Sequence, residues 1–204
     1  ELLDGSYTGP NSFGKTYREH KEALEFSEEQ LKELYDYAKK LDIICFATPF
    51  DVKSVELLER LDNPIYKISS FHVVDFNLIE RICQTKKPIL MSTGMSTLDE
   101  IDKAMELIKK NTDQIAIFQC TSSYPTDNED VNLNVIPALK ERYDCPVGYS
   151  GHERGTTVTI ASVAIGGCMV ERHFTLDRSM KGPDHAASLE ITGMSAVVER
   201  IKKT

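Results

Sequence analysis

Two histidines, a lysine inside an apolar run and a series of hydroxyls recur where short β-branched segments end. His152 closes the stretch Val147–His152, and His173 lies in Glu171-Arg172-His173-Phe174. Their separation matches no helical metal motif. Along a strand, however, Met169, Glu171, His173 and Thr175 share one face, so Glu171 and His173 would project together toward a rim that also carries His152. Two neutral imidazoles with oxygen ligands suit Mn²⁺, Co²⁺, Fe²⁺ or Zn²⁺ better than Mg²⁺. Two histidines also leave coordination positions open for Lewis-acid chemistry. Lys67 sits between Tyr66 and Ile68. Such a lysine snorkels at a strand end, ligates an anion or acts as a Schiff-base amine, and its neighbours leave the three readings open.

The hydroxyls fall at equivalent places: Thr48, Ser69 and Ser70, Ser92 and Thr93, Thr121 to Ser123, and Ser150. Each alone is an ordinary cap or turn former. Together with glycine-flanked backbone N–H groups and one lysine, they supply the donors and the positive charge that a phosphate or carboxylate needs. The remaining histidines say less. His20, among charged neighbours, reads as solvated. His185 and Asp184 lie in the turn-forming run Lys181–His185, where Asp184 is either a functional carboxylate or a turn cap.

The elements that would hold these residues alternate along the chain. Candidate strands are Ile43–Ala47, Ile65–Ser69, Pro88–Ser92, Ile115–Cys120, Pro146–Tyr149 and Cys168–Phe174. Their anchor residues Ile43, Ile65, Ile89, Ile115, Val147 and Met169 advance by 22, 24, 26, 32 and 22 residues, the recurrence of βα units with parallel strands. Ser27 with Gln30 and Thr97 with Glu100 read as capping boxes opening helices. One has Leu31, Leu34, Tyr35, Ala38 and Leu41 on one face, and the other has Leu98, Ile101, Ala104, Met105 and Ile108. Shorter stripes are Val55-Leu58-Leu61 and Met194-Val197-Val198-Ile201; residues 1–20 read as a loop. A Gly-x-Gly-x-x-Gly turn and a Walker A loop are both missing. The spacing therefore favours an α/β fold of the TIM-type (βα)8 barrel, about six βα units of it, in one domain over 1–204.

Composition narrows the class. The 204 residues carry 24 Lys+Arg against 32 Asp+Glu, a net charge of −8, without the cation clusters that nucleic acid or an anionic membrane requires. The five cysteines form no Cys-x-x-Cys pair, which points to reduced thiols and a cytoplasmic protein. The uncharged stretch Thr156–Val170 is too short to span a bilayer. No signal peptide opens the chain, and its start at Glu1 suggests an excerpt.

In order, ATPFD at 47–51, YKISS at 66–70, MSTGM at 91–95, QCTSSYPT at 119–126, the stretch to His152, ERHFTLD at 171–177 and GPDH at 182–185 resemble the sialic acid synthase (N-acetylneuraminate synthase) family over essentially the whole chain. The resemblance implies a (βα)8 barrel condensing phosphoenolpyruvate with the aldehyde of an N-acylated hexosamine, such as N-acetylmannosamine, to a nine-carbon 2-keto acid and phosphate. It implies a divalent metal, Mn²⁺ first with Mg²⁺ or Co²⁺ as alternatives, on His152 and His173, and a homodimer. Thr48, Lys67, Ser70, Ser92, Ser122 and Ser150 match phosphoenolpyruvate-binding positions. Tyr124 and Asp184 match the sugar site and, with Lys67 and Glu171, complete the candidate catalytic set. The first two barrel strands and a C-terminal antifreeze-like domain are missing from the match. Departures fall at His72, Ser122 and Gly151, where some members carry glutamate, asparagine and aspartate. Two competing readings are a Schiff-base aldolase acting through Lys67 and a catalytically incomplete barrel fragment.

Overall fold

The computed structural model describes residues 3–204. Helices α1 (Tyr17–Glu22), α2 (Glu28–Lys40) and α3 (Val52–Arg60) precede β1 (Tyr66–Ile68). Then α4 (Phe76–Gln84) leads to β2 (Ile89–Ser92), α5 (Leu98–Lys109) to β3 (Ile115–Cys120), and α6 (Val135–Tyr143) to β4 (Val147–Gly151). Helix α7 (Thr157–Ala164), β5 (Val170–Arg172) and α8 (Ile191–Ile201) close the chain. All five strands are parallel and adjacent in sequence order. The result is an arc of barrel-type α/β wall.

Alternation within each strand separates a packed face from a chemical one. Ile68, Met91, Ile117 and Val147 point to the helix side, where they join Leu58, Ile79, Ile108 and Leu139 in one core. Each such side chain contributes about 1.5–3 kcal/mol by leaving water. The other face carries the polar and small residues. Lys67 pairs with Leu90 and Leu90 with Ala116; Ser92 pairs with Phe118 and Phe118 with Gly148; Cys120 pairs with Ser150 and Ser150 with Glu171. Each row climbs the sheet as it crosses it, the stagger of a barrel wall. Gly148 is required here, because a Cβ would stand 2.7 Å from the Phe118 ring.

Local signals place the helices. Thr97 accepts from the Glu100 N–H while Glu100 accepts from that of Thr97, and Ser27 with Gln30 does the same for α2. Thr16 and Glu19 form a third box, so part of the segment expected to be loop is α1. Expectation and structure differ in three further places. Five strands form, not six: residues 43–47 run without a ladder, Ile43 and Ile44 are 60% and 73% exposed, and the Ala47 N–H donates to Tyr35 Oη and Asn63 Oδ1. A β-branched run becomes a strand only beside a partner, and side chains satisfy this one instead. His20 is buried rather than solvated; its Nδ1 accepts the Phe13 N–H at 3.2 Å and its ring lies against Tyr7. The apolar stripe of α2 buries no residue. Strands β1 and β5 each have one strand neighbour among the described residues. No helix among them is long and apolar enough to cross a membrane.

Candidate active site

A cavity of about 600 Å³ opens at the C-terminal ends of the strands, within the size range of small-molecule sites. It is lined by Thr48, Lys67, Ser70, Ser92, Ser122, Tyr124, Ser150, His152, Glu171, His173 and Asp184. The structure thus brings together, in one place, every residue of the candidate catalytic, substrate-binding and metal sets, while Thr93, Thr121, Ser123 and His185 lie outside this lining. Phe50, Ser69, Phe71, Met95, Cys120 and Arg172 complete the lining. Of these, Ser69 is one of the strand-end hydroxyls already named. Sequence reasoning passed over Phe50, Phe71, Met95 and Cys120 because apolar and thiol side chains look like core, and over Arg172 because it reads as a surface charge.

Lys67 organises one half of the cavity. Its strand ladder fixes the backbone, and its side chain, 8% exposed, crosses the inner face over the Phe118 ring, 5.5 Å from the centroid. The Nζ donates to Ser92 Oγ at 2.6 Å and to Glu171 Oε1 at 3.2 Å. Ser150 Oγ donates to the same Glu171 oxygen at 2.8 Å. A lysine, two hydroxyls and one carboxylate from four strands therefore form a single cluster. Nearby, Ser70 Oγ accepts the Gly94 N–H at 3.0 Å.

The other half is built from rings. His152 and His173 have centroids 5.1 Å apart, and Tyr124 lies 4.0 Å from the first and 5.6 Å from the second. Burial is the main cause pushing both imidazoles below their ordinary value, so both are neutral near pH 7. Asp184, 3.7 Å from His173 Nδ1, opposes that effect, while His152 adds to it. His152 Nδ1 lies 2.8 Å from the Thr121 carbonyl; that contact assigns the proton to Nδ1 and leaves the Nε2 lone pair free to accept a proton or ligate a cation. Burial also pushes the Tyr124 phenol up to about 12, keeping it protonated.

Two neutral imidazoles beside a carboxylate fit a divalent cation whose remaining positions go to substrate or water oxygens. Among the described residues no group of three His, Cys, Asp or Glu could hold a metal alone. The fit is therefore to an open site, not a closed structural one. The ring support comes from Thr121, so the glycine at 151 does not deprive His152 of its hydrogen bond.

The chain is 39% identical over 203 residues to N-acetylneuraminate-9-phosphate synthase of Mus musculus, covering 99% of this chain and 56% of that protein. It is 40% identical over 183 residues to N,N'-diacetyllegionaminic acid synthase of Campylobacter jejuni, covering 88% of this chain and 55% of that one. The chain thus spans about half the length of these relatives. A crystal structure of N-acetylneuraminic acid (sialic acid) synthetase from Leptospira borgpetersenii in complex with citrate superposes with a TM-score of 0.88 at 30% identity. That match covers 94% of this chain and 68% of the other. The sequence profile of the NeuB family matches residues 5–204, and the chain belongs to that family of sugar acid synthases.

Proposed function

We propose that this arc belongs to a (βα)8 barrel that condenses phosphoenolpyruvate with the open-chain aldehyde of an N-acylated hexosamine. The observation that carries this reading is the Lys67–Ser92–Glu171–Ser150 cluster lining one cavity with the His152–His173 pair. A doubly anionic substrate needs the first group, and an aldehyde acceptor needs the second.

In this reading Lys67, Ser92 and Ser150 bind the carboxylate and phosphate of the enol ester, with Thr48, Ser70 and Ser122 as further donors. The methylene carbon attacks the aldehyde carbon, forming the new C–C bond, and the aldehyde oxygen takes a proton. Water adds to the cationic C2 and loses a proton, and the C–O bond to phosphate then breaks, giving a 2-keto acid and inorganic phosphate. Glu171 is the carboxylate placed to accept the proton of that water, since it already faces Lys67 and Ser150. A divalent cation held by His152 and His173 would supply Lewis-acid polarisation of the acceptor carbonyl. Most of the remaining catalysis is positioning and electrostatics from fixed donors.

The test is phosphate release from phosphoenolpyruvate with Mn²⁺ and a panel of hexosamine acceptors, using the complete protein. Release that requires an acceptor and stops in chelator supports the reading. No release with any acceptor overturns it. Borohydride trapping at Lys67 with activity retained in chelator would move the chemistry to a Schiff base.

A further inference from the structure

We propose that Glu153 and Arg172 form a buried positioning pair that fixes the two imidazoles relative to each other and so sets the affinity of the site for a divalent cation. The proposal rests on the reading of His152 and His173 as cation ligands. Glu153 is the chain neighbour of His152, and Arg172 is the chain neighbour of His173. Their side chains are 0% and 1% exposed.

The contacts join the segments that carry the site. Arg172 Nη1 lies 2.8 Å from Glu153 Oε1, 2.9 Å from the Gly155 carbonyl and 2.7 Å from Thr159 Oγ1. Its Nη2 donates to the carbonyls of Glu153 at 2.5 Å and Ala187 at 3.3 Å. Glu153 in turn accepts from Tyr149 Oη and Thr159 Oγ1, both at 2.7 Å. One guanidinium therefore ties the end of β5 to the turn after β4, to α7 and to the turn that follows Asp184. Thr126 completes the frame by donating its N–H to the His152 carbonyl at 3.0 Å.

Two details point to position as the purpose of the pair. Gly151 makes room for it, because a Cβ there would stand 2.5 Å from Glu153 Oε2. Arg172 Nε is buried without a partner, so the placement serves the Nη contacts. Apolar replacements of a buried ion pair often match or exceed it in stability, so stability alone is a weak reason for this one. Its location between two cation ligands is a stronger one, since groups outside a metal's ligands commonly tune its affinity.

The experiment measures Mn²⁺ binding to the purified protein without substrate, by calorimetry or electron paramagnetic resonance, alongside thermal melting. Variants are Glu153→Gln, Arg172→Lys and the neutral double replacement Glu153→Gln/Arg172→Met. The proposal expects Mn²⁺ affinity about 10–100-fold weaker in each folded variant, including the double variant after its melting temperature has recovered toward the original. A variant that melts like the parent and binds Mn²⁺ as tightly as the parent overturns the proposal. Loss of folding in all three would assign the pair to stability alone and overturn it equally. His152→Ala separates the two readings: undiminished Mn²⁺ binding there refutes the ligand assignment itself, whatever Glu153 and Arg172 do.

Discussion

At the scale of residues, Lys67 is the charge on which the account depends. Replacing it with methionine keeps most of the stem packing over Phe118 and removes the donor to Ser92 and Glu171. Removing one preorganised donor of this kind costs about 10²–10³-fold in rate. The expectation for Lys67→Met is a fall of that order in kcat/KM for phosphoenolpyruvate, with an unchanged melting curve; steady-state kinetics and calorimetry check both. Most of the candidate site was legible in the sequence because its members share a local mark, a polar residue at the end of a β-branched run; Tyr124 and Asp184, in the loops beyond, lack it. Glu153 and Arg172 carry no such mark. A glutamate after a histidine and an arginine before one look like ordinary surface charges, and only the fold shows them 0% and 1% exposed. His20 misled for the same reason. Its charged chain neighbours suggested water, while Tyr7, Phe13 and Tyr17 reach it through space.

At the scale of elements, local rules worked where they were self-contained. Capping boxes at Ser27 and Thr97 need only residues three apart, and both helices start there. The run 43–47 failed as a strand because a ladder is a property of two segments, and Tyr35 and Asn63 hold Ala47 instead. Helix pairs show a third level, in which side chains join neighbouring units. Asp102 on α5 accepts from Arg142 at 2.9 and 2.5 Å and from Tyr143 Oη at 2.8 Å on α6. The hydrogen bond from Arg142, then that from Tyr143, pulls the Asp102 carboxyl from 3.8 to about 2. A carboxyl held below its unfolded value adds stability that is present above that value and is lost as pH falls through the folded one. Melting temperatures measured between pH 5 and pH 2 should therefore converge for the parent and Asp102→Asn at the acid end and separate above about pH 4. Parallel curves over the whole range would contradict the role of this contact.

At the scale of the whole molecule, the net charge of −8 makes the cavity's lysine a local exception in an acidic protein. The fold class was legible from the regular recurrence of the strands, but the number of strands was not. Recurrence reports where a β-prone segment lies, not whether a neighbour exists to pair with it. The described arc leaves β1 and β5 with one strand neighbour each, and apolar side chains such as Leu176 and Ile191 are 85% and 69% exposed beside β5 and on α8. The central claim is that a C–C bond forms between the two substrates in this cavity. It is tested most directly by supplying the complete protein with phosphoenolpyruvate carrying ¹³C at its methylene carbon, an N-acylated hexosamine and Mn²⁺, and following products by NMR and mass spectrometry. The account predicts one ¹³C-labelled 2-keto acid containing the acceptor's carbons, with one phosphate released for each. Labelled pyruvate alone, with the acceptor recovered unchanged, would contradict it.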